Sequence, residues 1–452
     1  MPLDRHAIHA VAAAERQRFA DTHPASQRLA QESRGHFLAG VPMHWMSDWG
    51  TPFPLFVEKA QGVTLTDADG RRYTDFCLGD TGAMFGHSPA PVAEALAAAA
   101  GRGLTSMLPS PDAPVVGRLL AERFGLPVWQ LTATATDANR AAIRWARALT
   151  GRSQVLVFNG CYHGTVDDTF VRLKNGRAVH RPGLIGQQAD LTRHTVAVEF
   201  NDLAALEAAL SSRDVACVLT EPALTNCGMV LPRPGFLNGV RELTRRYGTL
   251  LILDETHTLS SAPGGWVRQA GIAPDMLTVG KAIAGGLPVA VYGMSAAVAI
   301  LAEAYLARKE PGHSGLGTTL SANLFSLAAL RANLEAVATD AAYQHMTGTA
   351  SYLGHRLSEL FALHHLPWCV TQIGARCEFQ FAVSPPANGR EAEAAMDPEL
   401  EHALHLFLLN RGVAITPFHN MMLCAPATTR AHVDTLVTTL EAAIAAIERG
   451  VP

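Results

Sequence analysis

The sequence predicts an α/β fold with a mostly parallel sheet that is covered by helices on both faces. Apolar segments of strand length alternate with helical segments through the middle of the chain. These strands are continuously apolar rather than alternately apolar and polar, which is typical of strands buried on both faces. The length of 452 residues and the 48% of hydrophobic residues allow a large core and more than one domain.

The N-terminal segment, residues 1–75, predicts helix followed by a strand meander. In residues 5–38, apolar residues recur at helical spacing among Arg, Gln and Glu, which indicates helix. Prolines and glycines break this pattern within residues 40–54. Residues 55–75 predict short strands with a hairpin turn at Asp69-Gly70.

The middle of the chain, residues 76–335, predicts the large domain. Helices are expected at residues 92–100, 113–124, 137–149, 203–210 and 236–247, and strands at residues 154–158, 215–219, 249–253 and 276–279. A long helical pattern at residues 321–338 then leads into the C-terminal part of the chain.

The C-terminal part, residues 336–452, predicts a smaller domain that mixes helices with short strands. Helices are expected at residues 346–361, 398–410 and 430–449, and strands at residues 375–383 and 413–416. Residues 384–393 contain two prolines, an asparagine and a glycine, which predicts a surface loop.

Charge and cysteine content argue against several kinds of partner. The net charge of −4 gives no reason to expect nucleic acid or an anionic membrane surface as a partner. Residues 1–18 lack the apolar region of a signal peptide, and no uncharged apolar run reaches the roughly 18 residues of a membrane span. The seven cysteines form no CxxC pair, so we expect reduced thiols, no metal site and a cytoplasmic protein.

Lys281 differs from the other lysines of the chain in its surroundings. Lys59, Lys174 and Lys309 lie among polar, turn-forming or charged residues, whereas Lys281 follows the apolar strand at residues 276–279. The ordinary alternative for any lysine is a solvated side chain. The position after a buried strand makes Lys281 the candidate for chemistry.

Asp254 ends another apolar strand, 27 residues before that lysine. We expect Asp254 and Lys281 to reach one pocket from opposite sides and to hold pyridoxal phosphate (PLP) between them. A carboxylate there keeps a pyridine nitrogen protonated, and a lysine supplies the amine of a Schiff base and later moves a substrate proton. The alternative for Asp254-Glu255 is a helix cap.

Two threonine-rich segments are candidate anion sites. Residues 131–136 lead into a helix, where hydroxyls, backbone N–H groups and the helix dipole favour an anion, the alternative being an ordinary N-cap. Residues 315–323 form a second glycine- and threonine-rich loop before a helix. The first segment has neither a G-x-G-x-x-G motif nor a Walker lysine, so it gives little support to a dinucleotide or nucleoside triphosphate site.

Polar residues also follow two further strands of the predicted sheet. Tyr162 and His163 lie between glycines just after the strand at residues 154–158, where ligands bind in parallel α/β sheets. The Tyr162 ring could stack on a flat ligand, the alternative being a surface turn. Glu221 ends another apolar strand.

Taken in order, these motifs resemble those of the class III aminotransferases of PLP fold type I, in the branch near glutamate-1-semialdehyde aminomutase. The resemblance runs from about residue 53 to the C-terminus and rests on residues 67–76, 86–87, 134–147, 160–164, 221–222, 234–237, 247–248, 253–255, 274–275, 280–281 and 285–288. Each motif is weak by itself, but the ordered series is specific. It implies a large domain with a mostly parallel seven-stranded sheet between helices, and a smaller α+β domain from the N- and C-terminal segments.

The resemblance also implies a role for each candidate residue. Lys281 would form the Schiff base and Asp254 would pair with the pyridine nitrogen, which makes these two the catalytic residues. The other cofactor contacts would come from Ala135 and Thr136 at the phosphate, Tyr162 on the ring with His163 beside it, Thr256 behind the ring and Glu221 nearby. Thr319 would reach the phosphate of the neighbouring subunit in a homodimer.

The chain departs from the family pattern at three places in the candidate site. Residues 134–138 read Thr-Ala-Thr-Asp-Ala where relatives usually have Ser-Gly-Thr-Glu-Ala, and Ala135 lacks the backbone freedom of glycine. Thr256 stands where valine is usual, and His257 stands where relatives often carry Gln or Met. His257 could tune protonation or contact the cofactor O3′, or it could pack as a neutral ring.

The substrate is inferred from what two loops lack. Many relatives bind a substrate carboxylate with an arginine, but residues 39–45 and 416–420 contain none. We therefore expect a partly apolar pocket for a hydrophobic or aromatic amino donor, formed by Met43, Trp45, Met84, Phe85 and Phe418.

The function expected from the resemblance is that of a homodimeric aminotransferase. Such an enzyme moves an amino group from an amino acid or amine to PLP and then to a keto acid or aldehyde. Alternatives on the same scaffold are an aminomutase, which returns nitrogen to the neighbouring carbon, and a racemase or epimerase. A PLP-binding module without turnover is a further alternative, which the presence of both Asp254 and Lys281 disfavours.

Overall fold

The computed structural model describes residues 3–450, which form two compact units. Unit 2 contains Ala90–Asp340 together with Pro386–Ala394. Unit 1 contains the chain up to Pro89, the segment Ala341–Pro385 and the chain from Ala395 onward. The α/β class expected from the sequence is confirmed, and the domain limits placed at residues 75/76 and 335/336 stay a prediction.

The strands of both units are numbered in chain order. They are β1 (Val57–Gln61), β2 (Thr64–Asp67), β3 (Arg72–Asp75), β4 (Val128–Thr132), β5 (Gln154–Phe158), β6 (Val171–Lys174), β7 (Arg177–His180), β8 (Thr195–Val198), β9 (Val215–Thr220), β10 (Leu250–Asp254), β11 (Met276–Val279), β12 (Ala290–Met294), β13 (Cys369–Ile373), β14 (Arg376–Gln380), β15 (Val413–Ala414) and β16 (Met421–Leu423).

The α-helices are numbered in the same way. They are α1 (Arg5–Thr22), α2 (Pro24–Ser33), α3 (Ala90–Ala100), α4 (Asp112–Phe124), α5 (Ala135–Thr150), α6 (Leu203–Leu210), α7 (Phe236–Tyr247), α8 (Gly265–Ala270), α9 (Ala296–Arg308), α10 (Leu324–Ala332), α11 (Asp340–Leu363), α12 (Gly389–Ala394), α13 (Pro398–Leu409) and α14 (Arg430–Arg449).

Unit 2 is built on a seven-stranded sheet in the order β4-β12-β11-β10-β9-β5-β8. Strand β12 runs antiparallel to both of its neighbours, and the remaining pairs are parallel. Every residue of β9, β11 and β12 is buried, which explains why these strands consist mainly of apolar residues. Two successive antiparallel pairings make β4 parallel to β11, so β4, β5, β9, β10 and β11 all end at the same edge of the sheet.

Helix α5 packs its small apolar face onto this sheet. Its buried positions include Ala138, Ala142 and Trp145, which share one core with Ile252 of β10 and Met276 of β11. Alanines along this face let the helix lie close to the strands, because they add little side-chain volume between the two layers. The helix entrance is thereby held at the sheet edge where β10 and β11 end.

Unit 1 contains two small sheets and a helical layer. One sheet has the order β1-β2-β3-β15, with β15 parallel to β3, and the other has the antiparallel order β13-β14-β16. Helices α1, α13 and α14 share an apolar core that includes Ile8, Phe407 and Leu440. Residues 5–38 are not one helix, because Pro24 begins α2 and its ring cannot continue the hydrogen-bonding ladder of α1.

Two further differences from the sequence expectations lie in unit 2. Residues 384–393 are not wholly a loop, since α12 begins at Gly389, whose Cα lies close to the backbone of Asn159. The helical pattern at residues 321–338 divides into α10 and a π-helical turn at Asn333–Val337. Both features depend on packing that a local pattern does not carry.

The described chain has no helix that is both long and apolar enough to cross a membrane. All seven cysteines are buried thiols, and burial raises the pKa of Cys77, Cys217 and Cys377 to about 12. These thiols are therefore protonated and unreactive at neutral pH.

Candidate active site

The carboxyl ends of neighbouring strands bring Asp254 and Lys281 to one edge of the unit 2 sheet. Strand β10 pairs in parallel with β11, with Asp254 opposite Thr278, and Lys281 follows three residues later. Strand β4 ends at the same edge and leads through Thr134 into α5. Binding at the carboxyl edge of a parallel sheet is the usual arrangement in open α/β folds.

Asp254 is a buried carboxylate surrounded by donors. Its Oδ2 accepts hydrogen bonds from His163 Nδ1 at 2.9 Å and Asn139 Nδ2 at 2.8 Å, and its Oδ1 accepts one from Thr256 N at 3.0 Å. Burial alone would raise the pKa of Asp254, but the hydrogen bond and charge of His163 outweigh it and lower that pKa to about 2. The carboxylate is thus ionised at neutral pH.

His163 is the charged partner of this pair. Burial alone would lower the pKa of its imidazole, but the hydrogen bond to Asp254 outweighs burial and raises the pKa well above its ordinary value. The ring is fully buried and its position beside Tyr162 in the chain follows from the turn after β5. The His163–Asp254 pair therefore fixes the orientation of the carboxylate.

Asn139 connects this pair to the sheet, a role that the sequence did not reveal. Besides its bond to Asp254, Asn139 Nδ2 donates to the His163 carbonyl at 3.1 Å, and its Oδ1 accepts from Thr278 Oγ1 at 2.7 Å. The residue is fully buried on the apolar face of α5. A polar side chain inside an otherwise apolar helical stripe was the available signal.

Lys281 meets His257 across the site. Its Nζ lies 2.9 Å from His257 Nε2. The backbone of Lys281 has φ +49°, an unusual left-handed conformation for a residue other than glycine. The preceding Gly280 makes room for α5, because a Cβ there would lie 2.8 Å from Ala135 Cβ. The roles considered for His257 stay predictions, and its contact with the lysine amine was not among them.

The N-terminus of α5 forms a small concave surface with the turn after β5, made by Ala135, Thr136 and Gly164, which we call the phosphate cradle. Thr134 caps the helix by accepting from Asp137 N at 3.2 Å, so the N-cap alternative is correct for this residue. The cap leaves the N–H groups of Ala135 and Thr136 available at the positive end of the helix dipole. Gly164 has φ +79° and lies so close that a Cβ would be 2.2 Å from Thr136 Oγ1.

Three more expected cofactor residues lie after strands at the same sheet edge. Tyr162 is half-buried, and the guanidinium carbon of Arg181 is 5.6 Å from the centre of its ring. Glu221 is buried and bonded to Thr225, and burial raises its pKa to about 7. Thr256 is buried beside Asp254 and is tied to it through its backbone N–H.

The residues expected in the substrate pocket do not share one environment. In unit 1, Met43, Trp45 and Phe418 are exposed, whereas Met84 is fully buried. Phe85 is also buried, with its ring centre 5.7 Å from that of Tyr343 in an edge-on contact. Their part in substrate binding stays a prediction.

The residues of unit 2 fit PLP. The ionised Asp254 suits a protonated pyridine nitrogen, the N–H groups of Ala135 and Thr136 suit a phosphate, and Lys281 supplies an amine. The close approaches of Gly164 and Gly280 keep this cradle open on the side of α5, since any Cβ there would displace Thr136 or Ala135.

Comparison with known proteins agrees with this chemistry. A protein-family model described as aminotransferase class III matches residues 45–444. The glutamate-1-semialdehyde 2,1-aminomutase of Syntrophobacter fumaroxidans is 33% identical over 399 residues, which cover 86% of this chain and 90% of that protein.

Solved structures extend the likeness to the whole fold. A glutamate-1-semialdehyde aminomutase from Pseudomonas aeruginosa PAO1 is 47% identical, covers 99% of this chain and 100% of its own, and has a TM-score of 0.96. A variant of such an enzyme from the same organism has been solved in complex with PMP. A β-phenylalanine aminotransferase from Variovorax paradoxus is 29% identical, with coverage of 96% and 97% and a TM-score of 0.85.

These matches confirm PLP fold type I and PLP as the cofactor. The family match covers most of the chain, and the site described above lies within it. The resemblance inferred from the ordered motifs is therefore also confirmed. This chain belongs to the class III aminotransferases, a family of PLP-dependent enzymes.

Proposed function

We propose that this chain is an aminomutase of the glutamate-1-semialdehyde type, which moves an amino group between neighbouring carbons of one substrate. The observation that carries the proposal is the 47% identity over 99% of the chain to an aminomutase of that kind. The identity to an aminotransferase for β-phenylalanine is 29%. The proposal therefore takes the alternative from the sequence analysis in place of transfer between two molecules.

The described residues supply the acid and base functions that this reaction needs. PLP, when bound, withdraws electrons from the substrate carbon that bears nitrogen. The Lys281 amine is the group placed to take and return a proton at that carbon. His257 holds this amine at 2.9 Å, and the ionised Asp254 would balance positive charge on the pyridine nitrogen of bound PLP.

A substrate-alone experiment tests the proposal. The PLP-loaded enzyme is mixed with glutamate-1-semialdehyde and no second substrate. Products are separated by chiral chromatography and identified against standards by retention time and fragmentation spectrum. An aminomutase yields the isomer with amino and carbonyl positions exchanged, over many turnovers. Lys281→Ala is the inactive control.

Other outcomes contradict the proposal. A keto product formed once per active site, with the cofactor left in its amine form, indicates an aminotransferase. Loss of configuration in the recovered substrate, without an isomer, indicates a racemase or epimerase. Borohydride trapping and peptide mapping then check the site, because the label belongs on Lys281.

The assembly forms part of the same proposal. We expect a homodimer in which Thr319 reaches the phosphate of the partner subunit. Thr319 is exposed in the loop before α10 and lines a groove with Met107 and Leu108, two residues that are 79% and 72% exposed. An exposed apolar surface of this kind is typical of a protein–protein contact. Sedimentation analysis of the wild type and of Leu108→Glu tests this surface, and we expect the wild type to be a dimer and the variant to dissociate. A monomeric wild type, or a variant that is as dimeric as the wild type, would contradict it.

A further inference from the structure

The hairpin of β6 and β7 places two arginines beside Tyr162. Arg172 lies in β6 and donates from Nη1 to the carbonyl of Cys161 at 3.3 Å and to that of Val171 at 3.1 Å. Arg181 follows β7 directly, and its guanidinium lies over the Tyr162 ring. The hairpin is therefore attached to the turn that carries the expected ring-stacking tyrosine.

The register of the hairpin puts both arginine side chains on one face. Arg172 pairs with Val179, and the Arg181 N–H donates to the Phe170 carbonyl at 2.8 Å. Because side chains alternate along each strand, Arg172 and Arg181 are diagonal neighbours on the same face. Long side chains in such positions reach each other.

This pair of guanidinium groups carries uncompensated positive charge. Among the described residues no carboxylate forms an ion pair with either one: Asp168 pairs with Arg147 at 2.7 Å, and Asp190 pairs with His180 at 3.4 Å. Burial lowers the pKa of Arg181, and the neighbouring Arg172 lowers it further. Two half-buried cations with no counter-ion are unfavourable unless an anion binds there.

We infer that Arg172 and Arg181 bind the carboxylate of the substrate. The guanidinium fork of arginine matches a planar carboxylate. Arg181 contacts the ring of Tyr162, the residue on which the cofactor is expected to stack. The loops at residues 39–45 and 416–420 contain no arginine that could bind this carboxylate instead. The substrate class is thus an amino acid or amino carbonyl acid whose carboxylate lies apart from the reacting carbons.

Binding to the apoenzyme tests this site without turnover. Glutarate is the probe, glutaramide is its uncharged counterpart of equal length, and calorimetry measures both affinities. Arg181→Gln is expected to weaken glutarate binding roughly tenfold or more, because a charged hydrogen-bonded contact is lost. Arg181→Lys is expected to be intermediate, since it keeps the charge without the planar fork.

The hairpin supplies a matched control. Arg177 is exposed at the start of β7, so Arg177→Gln makes the same change of charge on the same element. The inference holds if only the Arg181 variants lose affinity for glutarate and no variant loses affinity for glutaramide. It is overturned if the wild-type apoenzyme does not bind glutarate, if Arg181→Gln binds it normally, or if Arg177→Gln or glutaramide shows an equal loss.

The inference rests on the proposed function for the identity of the substrate, and the two can fail separately. If the enzyme isomerises glutamate-1-semialdehyde but Arg181→Gln leaves glutarate binding unchanged, only the carboxylate site is rejected. Arginine-dependent glutarate binding in an enzyme that transaminates rejects the aminomutase proposal alone.

Discussion

The side-chain nitrogen of Lys281 lies 2.9 Å from Nε2 of His257. The two residues follow neighbouring parallel strands, β10 and β11, so the register of the sheet sets this distance. When the amine is protonated, the imidazole accepts its hydrogen bond, which requires the neutral tautomer with hydrogen on Nδ1. The imidazole thus orients the amine that must meet the cofactor.

Replacing this imidazole should slow the loading of cofactor. His257→Leu removes the acceptor, and we expect PLP to join the apoenzyme roughly tenfold more slowly, in line with one lost charge-assisted hydrogen bond. Absorbance after mixing apoenzyme with PLP measures this rate. His257→Gln keeps an acceptor and should recover part of it.

Ser260→Ala is the control for His257, because Ser260 Oγ donates to the His257 carbonyl without reaching the lysine. This variant should load PLP at the wild-type rate. Equal rates for His257→Leu and the wild type would show that the contact has no part in cofactor binding.

Asn139→Leu should weaken PLP binding as well as stability. The change takes one donor from the buried Asp254, so the pKa of that carboxyl rises and its hold on a pyridinium weakens. We expect the dissociation constant for PLP to rise roughly tenfold. Fluorescence titration of the apoenzyme measures it.

Asn201→Leu provides the comparison for Asn139. Asn201 also makes three hydrogen bonds in unit 2, to the carbonyls of Leu231 and Ala387 and from Arg233 N. Its loss should lower the melting temperature but leave PLP affinity as it was. If both variants lose PLP affinity equally, Asn139 acts only through general stability.

Gly164→Ala should damage the phosphate cradle. A Cβ at this position would lie 2.2 Å from Thr136 Oγ1, so the α5 entrance or the turn after β5 must move. We expect at least a tenfold loss of PLP affinity, measured by titration. Gly183→Ala has the same strain at φ +81° but open space around its Cβ, so it should cost about 1 kcal/mol of stability and no affinity. Unchanged affinity in Gly164→Ala would exclude a fixed cradle.

Glu255 should make the folded state pH-dependent. Burial raises its pKa from 4.5 to about 7, against the hydrogen bonds from Thr258, Val267 and Trp266. Because the pKa of Glu255 is higher in the folded chain than in the unfolded chain, the protonated carboxyl stabilises the fold fully below pH 4.5. This contribution to the free energy of unfolding, about 3 kcal/mol, is lost as the pH rises from 4.5 to about 7.

The variant Glu255→Gln does not titrate, so its melting temperature relative to the wild type should increase between pH 4.5 and 7 and then level off. Scanning calorimetry of the apoenzyme at pH 5 and pH 8 measures the difference. Glu242→Gln, at an exposed position on α7, should show no such trend. A constant difference for Glu255→Gln would mean that this carboxyl titrates normally.

The long periodic elements could be predicted from the sequence to within a few residues. Helices α6, α7 and α14 and strand β11 begin and end where their patterns indicate, because each has a clear apolar face or a continuous apolar run. Strands β4 and β12 were not predicted. They are short and flank loops rich in glycine or threonine, and they are defined by pairing with each other rather than by local sequence.

In the candidate site, too, some features could be predicted from the sequence and others could not. The motif positions could be predicted, because Asp254 ends an apolar strand and Lys281 follows one closely. The contacts of Asn139, His257 and Arg181 could not be predicted, because each depends on the register of a strand or on a partner far along the chain. Local sequence shows the residue types but not which of them meet.

The antiparallel strand β12 has a consequence for how the enzyme folds. It joins β4 to β11, and its contact with β4 links Thr132 to Ala290, 158 positions apart. The buried hydrogen bonds around Asp254 join residues 91, 115 and 139 positions apart.

Such distant pairings form late, because each must first close a long loop of chain. The cofactor site therefore forms only when the sheet is nearly complete, so a partly folded chain offers no site for PLP. Adding PLP during refolding should leave the rate of sheet formation unchanged and trap only finished molecules, since a ligand stabilises just the state that binds it.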